Sequence, residues 1–299
     1  MKILNFGSLN LDYVYQVPHF LAAGETLAAS QVAVHPGGKG VNQSVALARA
    51  GAQVWHAGTV GSGSGMLTEL LKQNGVDDRF LRHSDGVQGN AVIQVVPSGE
   101  NAILLCGGSN REITDEQVQD TISHFEQGDW LILQNEVSCL REMITQAKAK
   151  GMHIVLNPSP FEEQLLALDF EAIDWLFINE VEGNQMTGET EPEAILDILR
   201  KRYPKMNIVL TLGSQGAICD TPATRLTQPI FKVKAVDTTA AGDTFTGYFV
   251  AAYTQGKPLQ ECLMRAAAAS AIAVSRPGAS VSIPVREEVE AMLQGVSGL

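Results

Sequence analysis

Positive charge is scarce in this chain: 21 Lys and Arg stand against 33 Asp and Glu, giving a net charge of −12. A balance of this sign argues against nucleic acid or an anionic membrane as the main partner. Any phosphate it binds must therefore be neutralised locally, by backbone N–H groups, a few cations and a metal. Cysteine is sparse as well. Cys106, Cys139, Cys219 and Cys262 lie far apart with no C-x-x-C, and read as small buried apolar residues in a reducing compartment. None of the six histidines pairs at metal-ligand spacing, which argues against a zinc enzyme. No apolar run spans a bilayer, and Met1 to Asn5 ahead of Gly7 is too short for a signal peptide, so the expected location is the cytoplasm. The phosphate loop G-x-x-x-x-G-K-[ST] is missing. So is the dinucleotide fingerprint G-x-G-x-x-G: Gly61-Ser62-Gly63-Ser64-Gly65 comes nearest, but Met66 fills the third glycine position. That disfavours a nicotinamide-dependent oxidoreductase.

What is present is a globular composition, 45% hydrophobic and 18% charged over 299 residues, enough for one large α/β domain or two ordinary ones. Short apolar runs predict strands over 3–6, 54–59, 130–134, 153–156, 175–178 and 208–212. Helical periodicity predicts helices over 41–50, 66–74, 115–125, 140–150, 191–201, 243–255 and 259–275. Gly51, Gly75, Gly128, Gly151 and Gly256 follow five of these as C-terminal stop signals, and Thr114-Asp115-Glu116-Gln117 fits a capping box. Such alternation implies a mostly parallel central sheet flanked by helices, with ligands at the carboxyl ends of its strands. Two stretches break the pattern, about 11–34 and 89–105. Within the second, 90–96 and 101–105 read as a hairpin around Pro97-Ser98-Gly99-Glu100. Together the two stretches form either a small β-sheet lid or a pair of edge hairpins.

The strongest chemical signal is Val236-Asp237-Thr238-Thr239-Ala240-Ala241-Gly242-Asp243-Thr244-Phe245-Thr246-Gly247. Small residues let the backbone turn tightly into a helix whose first N–H groups attract an anion, with Asp243 in the first turn. An anion cradle beside a carboxylate suits phosphoryl transfer to an alcohol, though an acid merely complementing the helix dipole fits equally well. His35-Pro36-Gly37-Gly38-Lys39-Gly40-Val41-Asn42-Gln43 opens another helix with glycines that permit close backbone approach, or is a plain loop. Asn10 and Asp12 point the same way on an extended backbone and can hold vicinal sugar hydroxyls, or form a polar strand end. Asn179-Glu180-Val181-Glu182 follows an apolar strand, where a carboxylate can hold a hydrated Mg²⁺ or sit solvated at a helix start. Thr211-Leu212-Gly213-Ser214-Gln215-Gly216 can cup a nucleotide or simply connect two elements.

In their order and spacing these motifs resemble the PfkB-type, ribokinase-like carbohydrate kinases over essentially the whole chain. Residues 37–43 look like that family's N-terminal signature and 237–245 like its C-terminal one, and Asn10/Asp12, Asn157-Pro158-Ser159-Pro160, 179–182 and 211–216 fall in the family's order. The resemblance implies a single ribokinase-like domain over 1–299 with lid segments inserted in the α/β core. It implies an ATP-dependent kinase acting on the primary hydroxyl of a small sugar, D-ribose to ribose 5-phosphate first; fructose, a deoxysugar, a nucleoside or a silent binding protein are the alternatives. Asp243 becomes the base, and the N–H groups of Ala240, Ala241, Gly242 and Asp243 the anion hole. Sugar contacts fall on Asn10, Asp12, Gly38, Lys39, Gly40, Asn42 and Glu136. ATP contacts fall on Asn179, Thr211, Leu212, Gly213, Ser214, Gln215, Gly216, Gly242 and Asp243. Glu182 helps place Mg²⁺ through water. Asp237, with backbone oxygens of Thr239, Ala273, Arg276 and Gly278 and with Ser282, suggests an activating monovalent cation, K⁺. A homodimer through the lids is implied too. The chain departs from the family at Ser62-Gly63-Ser64, where acidic residues are common, at Ala267 beside the expected adenine, and loosely at Gly107-Gly108-Ser109-Asn110.

Overall fold

The computed structural model describes residues 1–297. Its strands in chain order are β1 (Ile3–Phe6), β2 (Asn10–Gln16), β3 (Gln31–Gly37), β4 (Val54–Ser62), β5 (Asp77–Val87), β6 (Asn90–Val95), β7 (Asn101–Cys106), β8 (Trp130–Gln134), β9 (His153–Asn157), β10 (Trp175–Asn179), β11 (Asn207–Thr211), β12 (Ala217–Asp220) and β13 (Arg225–Gln228). Its helices are α1 (Lys39–Arg49), α2 (Gly65–Gln73), α3 (Asp115–Ser123), α4 (Leu140–Lys150), α5 (Glu180–Thr187), α6 (Pro192–Arg202), α7 (Ala241–Thr254), α8 (Leu259–Val274) and α9 (Arg286–Ser297). A nine-stranded sheet runs in the order β13-β12-β11-β10-β9-β8-β1-β4-β5, parallel except for the antiparallel β11–β12 and β12–β13 pairs at one edge.

Strand side chains alternate between faces, and here each face has its own core. Ile3, Ile132, Val155, Trp175, Phe177 and Val209 pack with α1, α2, α7, α8 and α9 on one side. Leu4, Phe6, Leu131, Leu133, Ile154, Leu176 and Ile208 pack with α3, α4 and α6 on the other. The first core fixes α7. Phe249 lies edge-on to Trp175 at 5.0 Å and to Phe177 at 5.3 Å, and Tyr253 edge-on to Trp175 at 4.8 Å. Burying one such ring contributes roughly 1.5–3 kcal/mol, so the helix that starts with Asp243 is firmly seated.

The two stretches that broke the strand–helix pattern do meet. They form a separate sheet in the order β3-β2-β6-β7, in which β2–β6 is parallel and the other pairs antiparallel. The 90–105 hairpin is present as β6 and β7. Leu140–Lys150 coincides with its expected helix and ends at a left-handed Gly151, φ 73°. Only half of the expected capping box forms at α3: Thr114 accepts from the Gln117 N–H at 3.2 Å, but the Gln117 side chain turns to Gly58 O and Thr59 instead. At its other end, the helix expected over 115–125 stops at Ser123. A complete capping box stands instead at Asn179 and Glu182.

Candidate active site

The α7 start is built around a strained residue. Ala240 has φ 61°, a left-handed conformation costing on the order of 1–3 kcal/mol for a residue with a Cβ. The Ala241 N–H donates back to Thr238 O at 3.2 Å, and the first bond of the helix ladder is Thr244 N–H to Ala240 O at 2.8 Å. First-turn N–H groups have no helical carbonyl to reach. Those of Gly242 and Asp243 are therefore left for a ligand; of the expected set from Ala240 to Asp243, only the Ala241 N–H is taken, by Thr238 O. Ala240, Ala241, Gly242 and Asp243 all line one cleft of about 200 Å³, together with Lys39, Asn179, Glu182 and Thr211.

Asp243 itself is buried, and α1 holds it. Asn42 Nδ2 donates to Oδ2 and Gln43 Nε2 to Oδ1, each at 3.0 Å. These short side chains reach because the two helices nearly touch: a Cβ on Gly247, one turn beyond Asp243, would fall on Ala46 and within 2.9 Å of the Leu47 nitrogen. On its other side α1 starts against the loop after β1. A Cβ on Gly40 would collide with the Ser8 backbone, while Gly40 N–H donates to Ser8 Oγ at 3.1 Å and Gly40 O accepts from Asn5 Nδ2 at 2.7 Å. Both backbone groups of Gly40 thus have protein partners, and the space a side chain would need is filled by the Gly7–Ser8 backbone, so its role is to let α1 start close against that loop. Gly38 precedes the helix with φ 94°, a conformation suited to glycine.

Charge gathers around Lys39. Burial disfavours its cation, but the carboxylates of Asp243, Glu136 and Glu182 outweigh this and hold it above its usual value. Glu136 accepts from Ser8 Oγ and from the Lys39 N–H at 3.1 Å. Burial pushes Glu136 up, an effect that Lys39 and Ser8 partly offset. Asp12 shares its face of β2 with Asn10, as alternation requires. Burial, then Glu136 and Asp243, push it up to about 7, with no hydrogen bond to compensate. Asn10 Oδ1 accepts from Asn110 Nδ2 at 2.7 Å, which leaves the Asn10 amino group for a ligand. A larger cavity, about 350 Å³, opens on the other face of β2 against Leu11 and Tyr13, and none of the candidate residues lines it.

Across the cleft, β10 ends at Asn179, whose Oδ1 accepts from Glu182 N–H at 2.9 Å while Glu182 Oε2 accepts from Asn179 N–H at 3.0 Å. Thr211 ends the neighbouring strand. The stretch after it is the β11–β12 connection, with Leu212 packed into the core and Gly213, Ser214 and Gln215 exposed in a short 3-10 turn closed by Leu212 N–H to Gly216 O, 2.8 Å. Asp237 Oδ1 accepts from Thr239 N–H at 2.9 Å and Oδ2 from Gly278 N–H at 2.9 Å. Burial opposes its charge, but these donors and the Thr239 hydroxyl hold it below the usual carboxylate range. The expected cation residues Asp237, Thr239 and Gly278 are thereby brought together. Ala273 O, by contrast, already accepts from Arg276 N–H at 3.2 Å, and buried Ser282 donates to Ala279 O at 2.8 Å.

Sequence reasoning passed over Gln43 as a partner of Asp243, and over Asn5, Gln134 and Asn110. Their one signal was a buried-type position carrying an amide: Asn5 and Gln134 lie in otherwise apolar strands.

Residues 1–286 match the pfkB family carbohydrate kinases. The ribokinase of Haemophilus influenzae is 35% identical, the match covering 96% of this chain and 97% of that one. A crystal structure of the Thermotoga maritima ribokinase superposes with a TM-score of 0.86 at 34% identity, covering 98% of this chain and 99% of that one. The Arabidopsis thaliana ribokinase, solved with ribose and ATP, gives a TM-score of 0.86 at 28% identity, covering 98% of each. With a family match over nearly its whole length and a ribokinase-like fold, the chain belongs to the pfkB carbohydrate kinases, phosphotransferases with an alcohol as acceptor.

Proposed function

We propose that this cleft transfers the γ-phosphoryl of ATP to the primary hydroxyl of D-ribose, giving ribose 5-phosphate. The observation that carries the reading is the Asp243 carboxylate, pinned at both oxygens and set in the same cleft wall as the free N–H groups of the α7 start. A carboxylate there orients the hydroxyl and takes its proton, while the N–H groups of Gly242 and Asp243 hold the transferring phosphoryl oxygens. Asn10, Asp12, Gly38, Lys39, Asn42 and Glu136 hold the sugar, and Gly40, pressed on the Ser8 backbone, seats the start of α1 beside it. The buried Asn42 Oδ1, without a partner, and the donor-free Asp12 both supply acceptors for sugar hydroxyls. The likeness to ribokinases, one of them solved with ribose and ATP, supports ribose as the sugar.

ATP lies between Asn179 and the turn of Thr211, Leu212, Gly213, Ser214, Gln215 and Gly216. Among the described residues no cluster of three or more acidic, Cys or His side chains suits a metal, so Mg²⁺ draws its ligands mainly from phosphate and water, with Glu182 holding one of the waters. When bound, the ion neutralises phosphate charge. Asp237 and the backbone oxygens of Thr239, Ala273, Arg276 and Gly278, with Ser282, form the place for K⁺. We place the enzyme in the cytoplasm; no helix of the described residues is long and apolar enough to cross a membrane.

A panel of D-ribose, fructose, deoxyribose and a nucleoside with coupled ADP detection tests the substrate. Ribose should give a kcat/KM at least about tenfold above the others. ADP release independent of any sugar would sink the kinase reading, and a higher value for another acceptor would replace ribose.

The β3-β2-β6-β7 sheet acts as the lid, and we propose that two lids pair in a homodimer. Strand register places Ala33, Val14, Ile93 and Ile103 side by side on the Asp12 face, and Ile103 is 60% exposed. An apolar row of this kind needs cover. Sedimentation should show a dimer that dissociates on dilution; a monomer at every concentration counts against the pairing.

A further inference from the structure

Both oxygens of Asp243 accept an amide N–H from α1, and one of those amides ends a buried chain whose direction is fixed at its far end. The Gly40 carbonyl can only accept, so the Asn5 group 2.7 Å from it is the amino group Nδ2. Asn5 Oδ1 must then face Gln134, and the Gln134 group 2.9 Å away is its Nε2. The same nitrogen donates its second hydrogen to Gln43 Oε1 at 2.7 Å. That turns the Gln43 amino group toward Asp243 Oδ1, 3.0 Å away. Asn5, Gln134 and Gln43 are all 0% exposed, so water does not compete for these groups. Gln134 Oε1 is left without a partner, packed where a Cβ on Gly7 would stand. Orphaned buried acceptors are rare. This one persists because turning the Gln134 amide would aim an oxygen at two other oxygens.

We propose that Asn5, Gln134 and Gln43 are positioning residues for Asp243, a one-way chain that keeps an amide donor, never an acceptor, against carboxylate oxygen Oδ1. Without it Gln43 Oε1 loses its donor. Apart from Asp243 itself, only a long contact from Gln43 Nε2 to Asn157 Oδ1, 3.4 Å, still favours this orientation. The amide can then turn and present Oε1 to the carboxylate, which repels it and swings the acceptor of the hydroxyl proton out of line. Displacements of this size at a reacting group are costly to turnover and leave ground-state binding largely alone. The inference rests on Asp243 being the base.

The test uses Gln134, which does not touch Asp243. Gln134→Met keeps the length of the side chain and removes both donors. We expect kcat to fall about tenfold or more, with KM for ATP and for ribose moving less than about twofold. In a Gln43→Met background the same change should bring no further loss of kcat, because its route runs through residue 43. Wild-type kcat in Gln134→Met, or losses that multiply in the double variant, would overturn the chain. If Gln134→Met does not fold, Asn5→Leu, which also does not touch Asp243 and removes the acceptor that orients Gln134, takes its place. A fall in kcat at unchanged KM that vanishes in the Gln43→Met background supports the chain, and wild-type kcat removes it. Asp243→Asn, measured alongside, separates the two ideas. Should that variant turn over normally, the base assignment fails; should it be inactive while both glutamine variants are normal, only the chain fails.

Discussion

Asp243→Asn should lower kcat by roughly 10²-fold or more while leaving fold and sugar affinity in place. The substitution keeps the shape of the side chain but makes one of its two terminal atoms a donor. Asn42 Nδ2 and Gln43 Nε2 both donate to this group now, so one of them loses its acceptor and must turn away. A lost bond to a charged acceptor is worth about 1.5–3 kcal/mol, well within what the aromatic packing of Phe249 and Tyr253 on Trp175 can absorb. The fold therefore survives. Turnover does not, because the amide cannot accept the hydroxyl proton. Phosphoryl transfer passes through a loose transition state in which the proton moves late, so orientation by the remaining amide oxygen leaves some residual rate. Melting temperature, sugar binding by calorimetry and ADP release separate these effects. A variant with near wild-type turnover would remove Asp243 from the reaction.

The elements that could be read from the sequence were those with dense local signals. The apolar run at 130–134 is β8 to the residue, and the periodic stretch 140–150 with Gly151 behind it is α4. The strands that escaped are edge or near-edge ones. β5 carries Asp77, Asp78, Arg79, Arg82 and His83, and none of its residues is fully buried, so it shows no apolar run. β12 and β13 are each four residues long and antiparallel, outside the strand–helix rhythm that betrayed the others. The motif residues stood out because glycines cluster where backbones approach. What the sequence could not display was pairing across distance: Gln43 and Asp243 are 200 positions apart, and Gly247 looks like a weak spot in a helix until α1 is seen pressed against it. An asparagine in β1 or a glutamine at the end of β8 reads as an ordinary strand residue. Only the fold shows that both serve one carboxylate.

Asp12→Asn should stabilise the empty enzyme above neutral pH and weaken its hold on sugar. Asp12 lies near Glu136 and Asp243, beside the cleft, with no hydrogen-bond donor, and burial, Glu136 and Asp243 raise it from 3.8 to about 7. Lys39, the nearby cation, already answers to Asp243, Glu136 and Glu182. Keeping Asp12 ionised in the folded, sugar-free enzyme at alkaline pH therefore costs on the order of 4 kcal/mol. The sign follows from proton binding: between 3.8 and about 7 the folded state holds a proton that the unfolded chain has lost, so stability falls as pH rises through that window. Asparagine has no charge to bury. The variant should melt about 5 °C or more above wild type at pH 8, and the gap should close as pH drops toward 4. Sugar reverses the balance. Hydroxyls donating to Asp12 favour its ionised form, so sugar affinity in the wild type should rise as pH climbs through about 7 and lose that dependence in the variant, with Kd about tenfold or more weaker at pH 8. Equal melting curves at pH 8 would mean that Asp12 carries no such strain. A pH-independent sugar affinity in the wild type would mean that its carboxylate does not receive the sugar.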